Sequence, residues 1–153
     1  ALAAMRKACP SPHNVFLLGP RQDMPRVYPA FDLATLSSAY GEGLPLTLCE
    51  SLACGVPGVV TEVGDSADVI GDCGLVVPPG DPLALATAWH KMMNLPAAAR
   101  QTLREKSRTR AEERFALPSI AAQYEALYEQ LLDGRGGGIA SENAPVMAKP
   151  ATV

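Results

Sequence analysis

Two carboxylates eight positions apart, Glu42 and Glu50, stand in the stretch Glu42-Gly43-Leu44-Pro45-Leu46-Thr47-Leu48-Cys49-Glu50-Ser51-Leu52-Ala53-Cys54-Gly55-Val56-Pro57. The pattern places Glu42 in a glycine-containing loop and Glu50 in the otherwise apolar helix that follows. Burying an ionised carboxylate is costly unless it is hydrogen-bonded or paired, and no Lys or Arg lies nearby in sequence. A ligand is therefore a candidate partner. A carboxylate can accept two hydrogen bonds from a vicinal diol such as ribose. The start of a helix attracts phosphate through its free N–H groups and dipole. Candidate donors here are the amides of Gly43, Leu44, Leu46 and Thr47, whereas Pro45 has none to offer. One nucleotide sugar could span the set, with ribose at Glu50, phosphate at the helix start and hexose at Glu42. Alternatively, Glu42 is an exposed loop acid and Glu50 caps amides of a neighbouring loop. Spacing alone leaves both readings open.

The elements that must position these residues alternate between short β-rich runs and helical stretches. Val15-Phe16-Leu17-Leu18, closed by Gly19-Pro20, reads as a first strand. A brief helix over 25–30 leads to a second strand, Leu33-Ala34-Thr35-Leu36-Ser37. The helix carrying Glu50 is expected over 44–54, with Pro45 in its first turn and Gly55 as its C-cap. Further strands are expected at Gly58–Thr61 and Leu75–Val77, with a short helix over 66–70 between them. Helices over 82–94, 96–115 and 118–133 follow. Strand-helix-strand steps with continuously apolar strands predict an α/β fold, a Rossmann-like parallel sheet with helices on both faces. In such sheets ligands bind beyond the carboxyl ends of the strands, which is where Glu42 falls.

Composition excludes several functional classes. The chain has 153 residues, 48% hydrophobic and 19% charged, with a net charge of -3, as expected of a globular domain without a nucleic-acid partner. The basic run from Arg100 to Arg114 is interleaved with Glu105, Glu112 and Glu113 and reads as a solvated helix face. Cys9, Cys49, Cys54 and Cys73 lack metal-ligand spacing, and reduced thiols suit a cytoplasmic setting. Ala1 to Cys9 reads as the end of a helix. The expected organisation is therefore a domain over 1–133, incomplete at its N-terminus, followed by a disordered tail over 134–153.

The ordered set Ser38-x-x-x-Glu42-Gly43-Leu44-Pro45-x-x-x-x-Glu50-Ser51-Leu52-Ala53-x-Gly55-x-Pro57, then Val59-Val60-Thr61 and Gly64, resembles a known signature. It is similar to the donor-binding segment of retaining, nucleotide-sugar-dependent glycosyltransferases of the GT-B fold, in the large family that includes sucrose synthase and phosphatidylinositol mannosyltransferase. The likeness runs from about Val15 to Asp133. It takes in Gly74-Leu75-Val76-Val77, the run Asp81 to Ala86, Phe115, and the final helix with Tyr124 and Tyr128. The resemblance implies that Glu50 holds the ribose hydroxyls and that Glu42 contacts the donor sugar near its reacting carbon. It implies that the backbone from Gly43 to Leu46 meets the sugar and diphosphate. Pro45 stands where many relatives have Gly, Asp65 replaces the second Gly of a Gly-Gly turn, and Asp68 stands for a usual Glu.

On this resemblance the expected activity is hexosyl transfer from a nucleotide-diphosphate sugar with retention, without a cofactor or obligatory metal. A basic pair that grips the diphosphate and the acceptor-binding domain are expected upstream, so this chain alone should bind donor weakly and turn over nothing. The acceptor is unassigned, and peripheral association with the inner face of a membrane through that absent domain is compatible with the family. Two alternatives are a nucleotide-sugar epimerase of the same fold and a non-catalytic nucleotide-sugar-binding module. A dehydrogenase is disfavoured, because no G-x-G-x-x-G follows a strand.

Overall fold

In the computed structural model, residues 2–133 are described, and the tail expected over 134–153 lies outside them. The elements are α1 (Leu2–Ala8), α2 (Met24–Val27), β1 (Ala34–Leu36), α3 (Leu46–Ala53), β2 (Gly58–Thr61), α4 (Ser66–Ile70), β3 (Gly74–Val77), α5 (Pro82–Met93), α6 (Ala97–Arg114) and α7 (Leu117–Leu132). Three-residue 3-10 turns follow α1, α2 and α4. The sheet is wholly parallel in the order β1-β2-β3, with Thr35 opposite Val59 and Val59 opposite Leu75.

β2 is the central strand and every one of its residues is buried. Successive strand side chains point to opposite faces, so neighbouring valines serve two cores. Val60 joins Leu48, Leu52, Val69, Ile70, Cys73 and Ala111 on the face covered by α3, α4 and α6. Val59 joins Val77, Ala88 and Met92 on the face covered by α5. The expected α/β layering with helices on both faces is present. Full burial of Leu48 and Leu52 contributes about 1.5–3 kcal/mol each before chain entropy is counted.

The run Val15–Leu18 forms no strand, which corrects the expectation from its composition. A strand gains its ladder bonds only from a neighbour, and among the described residues β1 pairs on one side only, with β2. Phe16, Leu17 and Leu18 accordingly lie exposed.

α3 starts two residues later than expected. Pro45 precedes it in an extended conformation, φ -78° and ψ 94°. The proline ring also disfavours helical geometry at Leu44, leaving Gly43 and Leu44 in the loop. At the far end Gly55, at φ +71°, closes the helix as expected. Its N–H bonds to Leu52 O at 2.8 Å and that of Val56 to Ser51 O at 2.9 Å, the paired reversal of a Schellman cap.

The basic residues of α6 are not simply a solvated face. Arg104 donates to Phe31 O at 3.0 Å and to Pro29 O at 3.4 Å. Arg108 donates to Ala53 O, the last carbonyl of α3. Arg110 donates to Val69 O at 2.8 Å and to Asp68 O, carbonyls near the end of α4. Each guanidinium thus satisfies main-chain acceptors on another element, and Arg108 and Arg110 place a cation at the carboxyl ends of α3 and α4. Replacing Arg110 with Met should cost about 1–2 kcal/mol, whereas Arg100→Ala should stay within about 0.5 kcal/mol. Urea midpoints at unchanged m-value measure both, and equal shifts would count against capping by Arg110.

Candidate functional site

The site begins where β1 and β2 end. Thr61, the last residue of β2, donates its hydroxyl to Ser38 O at 2.6 Å, tying the segment after β1 to the neighbouring strand. Ser38 in turn donates to Glu42 Oε1 at 2.5 Å. Glu42 is half-buried, and this hydroxyl occupies one of its two oxygens. The loop between them is seated on the turn after β2, where the Asp65 amide donates to Gly43 O at 3.2 Å. Gly64 makes that contact possible. A Cβ placed on it would lie 2.2 Å from Glu42 O, and its φ is +55°. Backbone against backbone leaves no flexible atom to move aside.

The loop delivers the chain to α3 with its amides free. Among the described residues, the N–H groups of Gly43, Leu44, Leu46 and Thr47 donate to no loop, cap or side-chain acceptor. The first intrahelical donors are Leu48 and Cys49, both to Pro45 O. No side chain caps the helix start, in contrast to α5, where Asp81 accepts from Leu83 and Ala84 at 3.0 and 2.9 Å. Gly43, Leu44, Leu46 and Thr47 are all exposed, and Pro45 is buried beneath them.

Glu50 differs from its expected setting. It is exposed, because the buried stripe of α3 runs through Leu48, Ser51 and Leu52 and Glu50 faces away from it. It nevertheless has a partner, Tyr28, whose hydroxyl donates to Glu50 Oε2 at 3.2 Å. Tyr28 is 6% exposed, with its ring edge-on to Phe31 at a centroid distance of 6.1 Å. Burial first, then the negative charge of Glu50 and the hydrogen bond to it, and last Cys54, push the Tyr28 phenol above its ordinary range. Sequence reasoning missed Tyr28, since a contact across 22 residues has no local signature. The Tyr28-Pro29 pair in an otherwise apolar run was the only hint. Sequence also gave Ser38 no role.

These observations define a class, a parallel α/β domain presenting an amide-lined helix start between two acidic groups at the carboxyl edge of its sheet. Solved GT-B glycosyltransferases share this fold. The family described as Glycosyl transferases group 1 matches residues 2–94, and the chain belongs to it. An exopolysaccharide phosphotransferase of Streptomyces coelicolor is 38% identical over 125 residues, covering 80% of this chain and 13% of that protein. The N-acetyl-alpha-D-glucosaminyl L-malate synthase of Bacillus anthracis is 31% identical over 129 residues, 82% of this chain and 33% of the enzyme. Among solved structures, Anabaena HepE in complex with UDP superposes with a TM-score of 0.70 at 23% identity, over 77% of this chain and 33% of that one. The chain thus spans a third or less of the length of these relatives. Among the described residues no helix is long and apolar enough to cross a membrane.

Two outcomes check the geometry. Gly64→Ala should destabilise by about 2 kcal/mol or more through the left-handed φ and the overlap with Glu42 O, read from denaturant midpoints. The raised Tyr28 phenol contributes stability that is fully present below the unfolded tyrosine value of about 10 and is lost as pH rises through the folded value. Alkaline unfolding of Tyr28→Phe should therefore start at higher pH than that of the native chain, relative to each protein's stability at pH 8. Coincident profiles would refute this account of Tyr28.

Proposed function

We propose that this chain supplies the donor-binding part of a retaining glycosyltransferase that takes a hexose from a nucleoside-diphosphate sugar. One observation carries the reading: a run of undonated amides at the start of α3, with a hydroxyl-tethered carboxylate on either side. Four N–H donors and a helix dipole form an anion site, and neither carboxylate accepts from those amides. In this reading the diphosphate lies against the amides of Gly43, Leu44, Leu46 and Thr47. The ribose hydroxyls donate to Glu50, and hydroxyls of the transferred sugar donate to Glu42. The UDP held by HepE supports the assignment of a nucleoside diphosphate.

During transfer the bond between the anomeric carbon and the diphosphate oxygen breaks and its electron pair leaves with the diphosphate. The acceptor oxygen bonds to that carbon and releases its proton. Negative charge therefore grows at the helix start while the sugar becomes cation-like. Fixed amides hold the growing charge better in the transition state than in the ground state, and do so without reorganising. Glu42, held at one oxygen by Ser38, lies on the side where positive charge develops, which makes it the catalytic carboxylate of this set.

No cofactor or obligatory metal is included in the proposal, because the amides themselves meet the diphosphate. The reading places a basic pair for the diphosphate and the acceptor-binding domain in the portion by which the relatives exceed this chain. The 153 residues alone then bind donor weakly and transfer nothing. The proposed setting is cytoplasmic, and any peripheral membrane contact would belong to that further domain.

Titration calorimetry of the chain with UDP and GDP tests the assignment. Glu50→Ala should weaken the tighter of the two at least about tenfold, the loss of two charge-assisted hydrogen bonds. Unchanged affinity removes Glu50 from the site. Sugar transfer by the 153 residues alone would overturn the claim that the chain is half of an active centre.

A further inference from the structure

Glu50 is an exposed glutamate on a short helix, and an exposed carboxylate ordinarily samples several rotamers. Among the described residues its side chain has one hydrogen-bond partner, the Tyr28 hydroxyl. That hydroxyl is fixed. The Tyr28 ring is buried, Phe31 meets it edge-on at an interplanar angle of 87°, and Phe31 N donates to Tyr28 O at 2.9 Å. Arg104 of α6 then holds the carbonyls of both Pro29 and Phe31, so the segment carrying the phenol is anchored by a second element. A rigid donor on a mobile acceptor orients the acceptor. Oε2 is engaged through one lone pair, leaving its other lone pair and both of those on Oε1 without a partner among the described residues and available to a diol.

We propose that Tyr28 is the positioning residue for the Glu50 carboxylate, and through it the determinant of selectivity for ribose hydroxyls in the bound nucleoside diphosphate. The proposal rests on the reading of Glu50 as the ribose ligand. Tyr28 touches no ligand itself. It decides whether the two carboxylate oxygens meet a vicinal diol together or singly, so its loss falls on the part of affinity owed to the hydroxyls. Binding through the diphosphate is left as it was.

Dissociation constants for UDP and for 2′,3′-dideoxy-UDP, which lacks both hydroxyls, separate these contributions; GDP and its dideoxy analogue are used instead if GDP binds more tightly. The native chain should prefer the ribose form by about tenfold or more, on the scale of charge-assisted hydrogen bonds. Tyr28→Phe keeps the ring, so the preference should drop about three- to tenfold while affinity for the dideoxy compound stays put. A preference that survives in Tyr28→Phe, or a parallel fall for both compounds, overturns the proposal. Phe31→Leu keeps the hydroxyl but loosens the ring. It should give an intermediate preference, and native selectivity in that variant also counts against positioning should Tyr28→Phe fail to fold. If Glu50→Ala retains the native preference, or the native chain shows none, the ribose reading of Glu50 is what fails.

Discussion

The domain depends on how one helix answers the unpaired carbonyls of its neighbours. A parallel sheet of three short strands offers few ladder bonds, and each helix that covers it ends with carbonyls that lack intrahelical partners. α6 meets that demand at three places, with Arg104 on the turn after α2, Arg108 on the end of α3 and Arg110 on the end of α4. From its buried side, Ala111 packs with residues of α3 and α4. Cationic donors do here what a longer sheet or deeper core would do elsewhere. At the end of α3, Arg108 adds its donor to the reversal that Gly55 already makes.

From that constraint the site follows by geometry. The carboxyl ends of β1 and β2 are tied through Thr61 and Ser38, the loop with Glu42 is seated on Gly64, and α3 leaves it with its first amides undonated. Two carboxylates are each held at one oxygen by a hydroxyl, Ser38 for Glu42 and Tyr28 for Glu50. An electrostatic site that must favour a changing charge distribution works best when its dipoles are already in place. The main-chain amides are held by the fold and the carboxylates by neutral donors, so neither acid is neutralised by a salt bridge among the described residues.

Much of this was legible in the residues. Glu42, Glu50 and the amides around Pro45 stand out in the sequence because helix starts, proline and acidic groups have local signatures. β2 and α4 fall at the expected residues for the same reason. What sequence could not supply was tertiary. Val15–Leu18 has the composition of a strand, but strand formation needs a neighbour. Glu50 was expected in apolar surroundings because its helix is apolar, yet the register of that helix turns it outward. The arginines of α6 looked like surface charge because their acceptors are main-chain carbonyls 41 to 75 residues away, and carbonyls are invisible to composition. Tyr28 was missed on the same ground.

Pro45 has a consequence beyond the missing donor. Its ring fixes φ in the unfolded chain as well as in the folded one, so ordering the turn into α3 surrenders less conformational freedom than any other residue would at that position. Its burial, next to four exposed residues, then pins the loop from below. Disorder is thus removed at the helix start by the chain itself, ahead of the anion binding proposed above. A chain with a more permissive residue there would have to give up that freedom at the moment of binding, and its affinity would fall without the loss of a single contact.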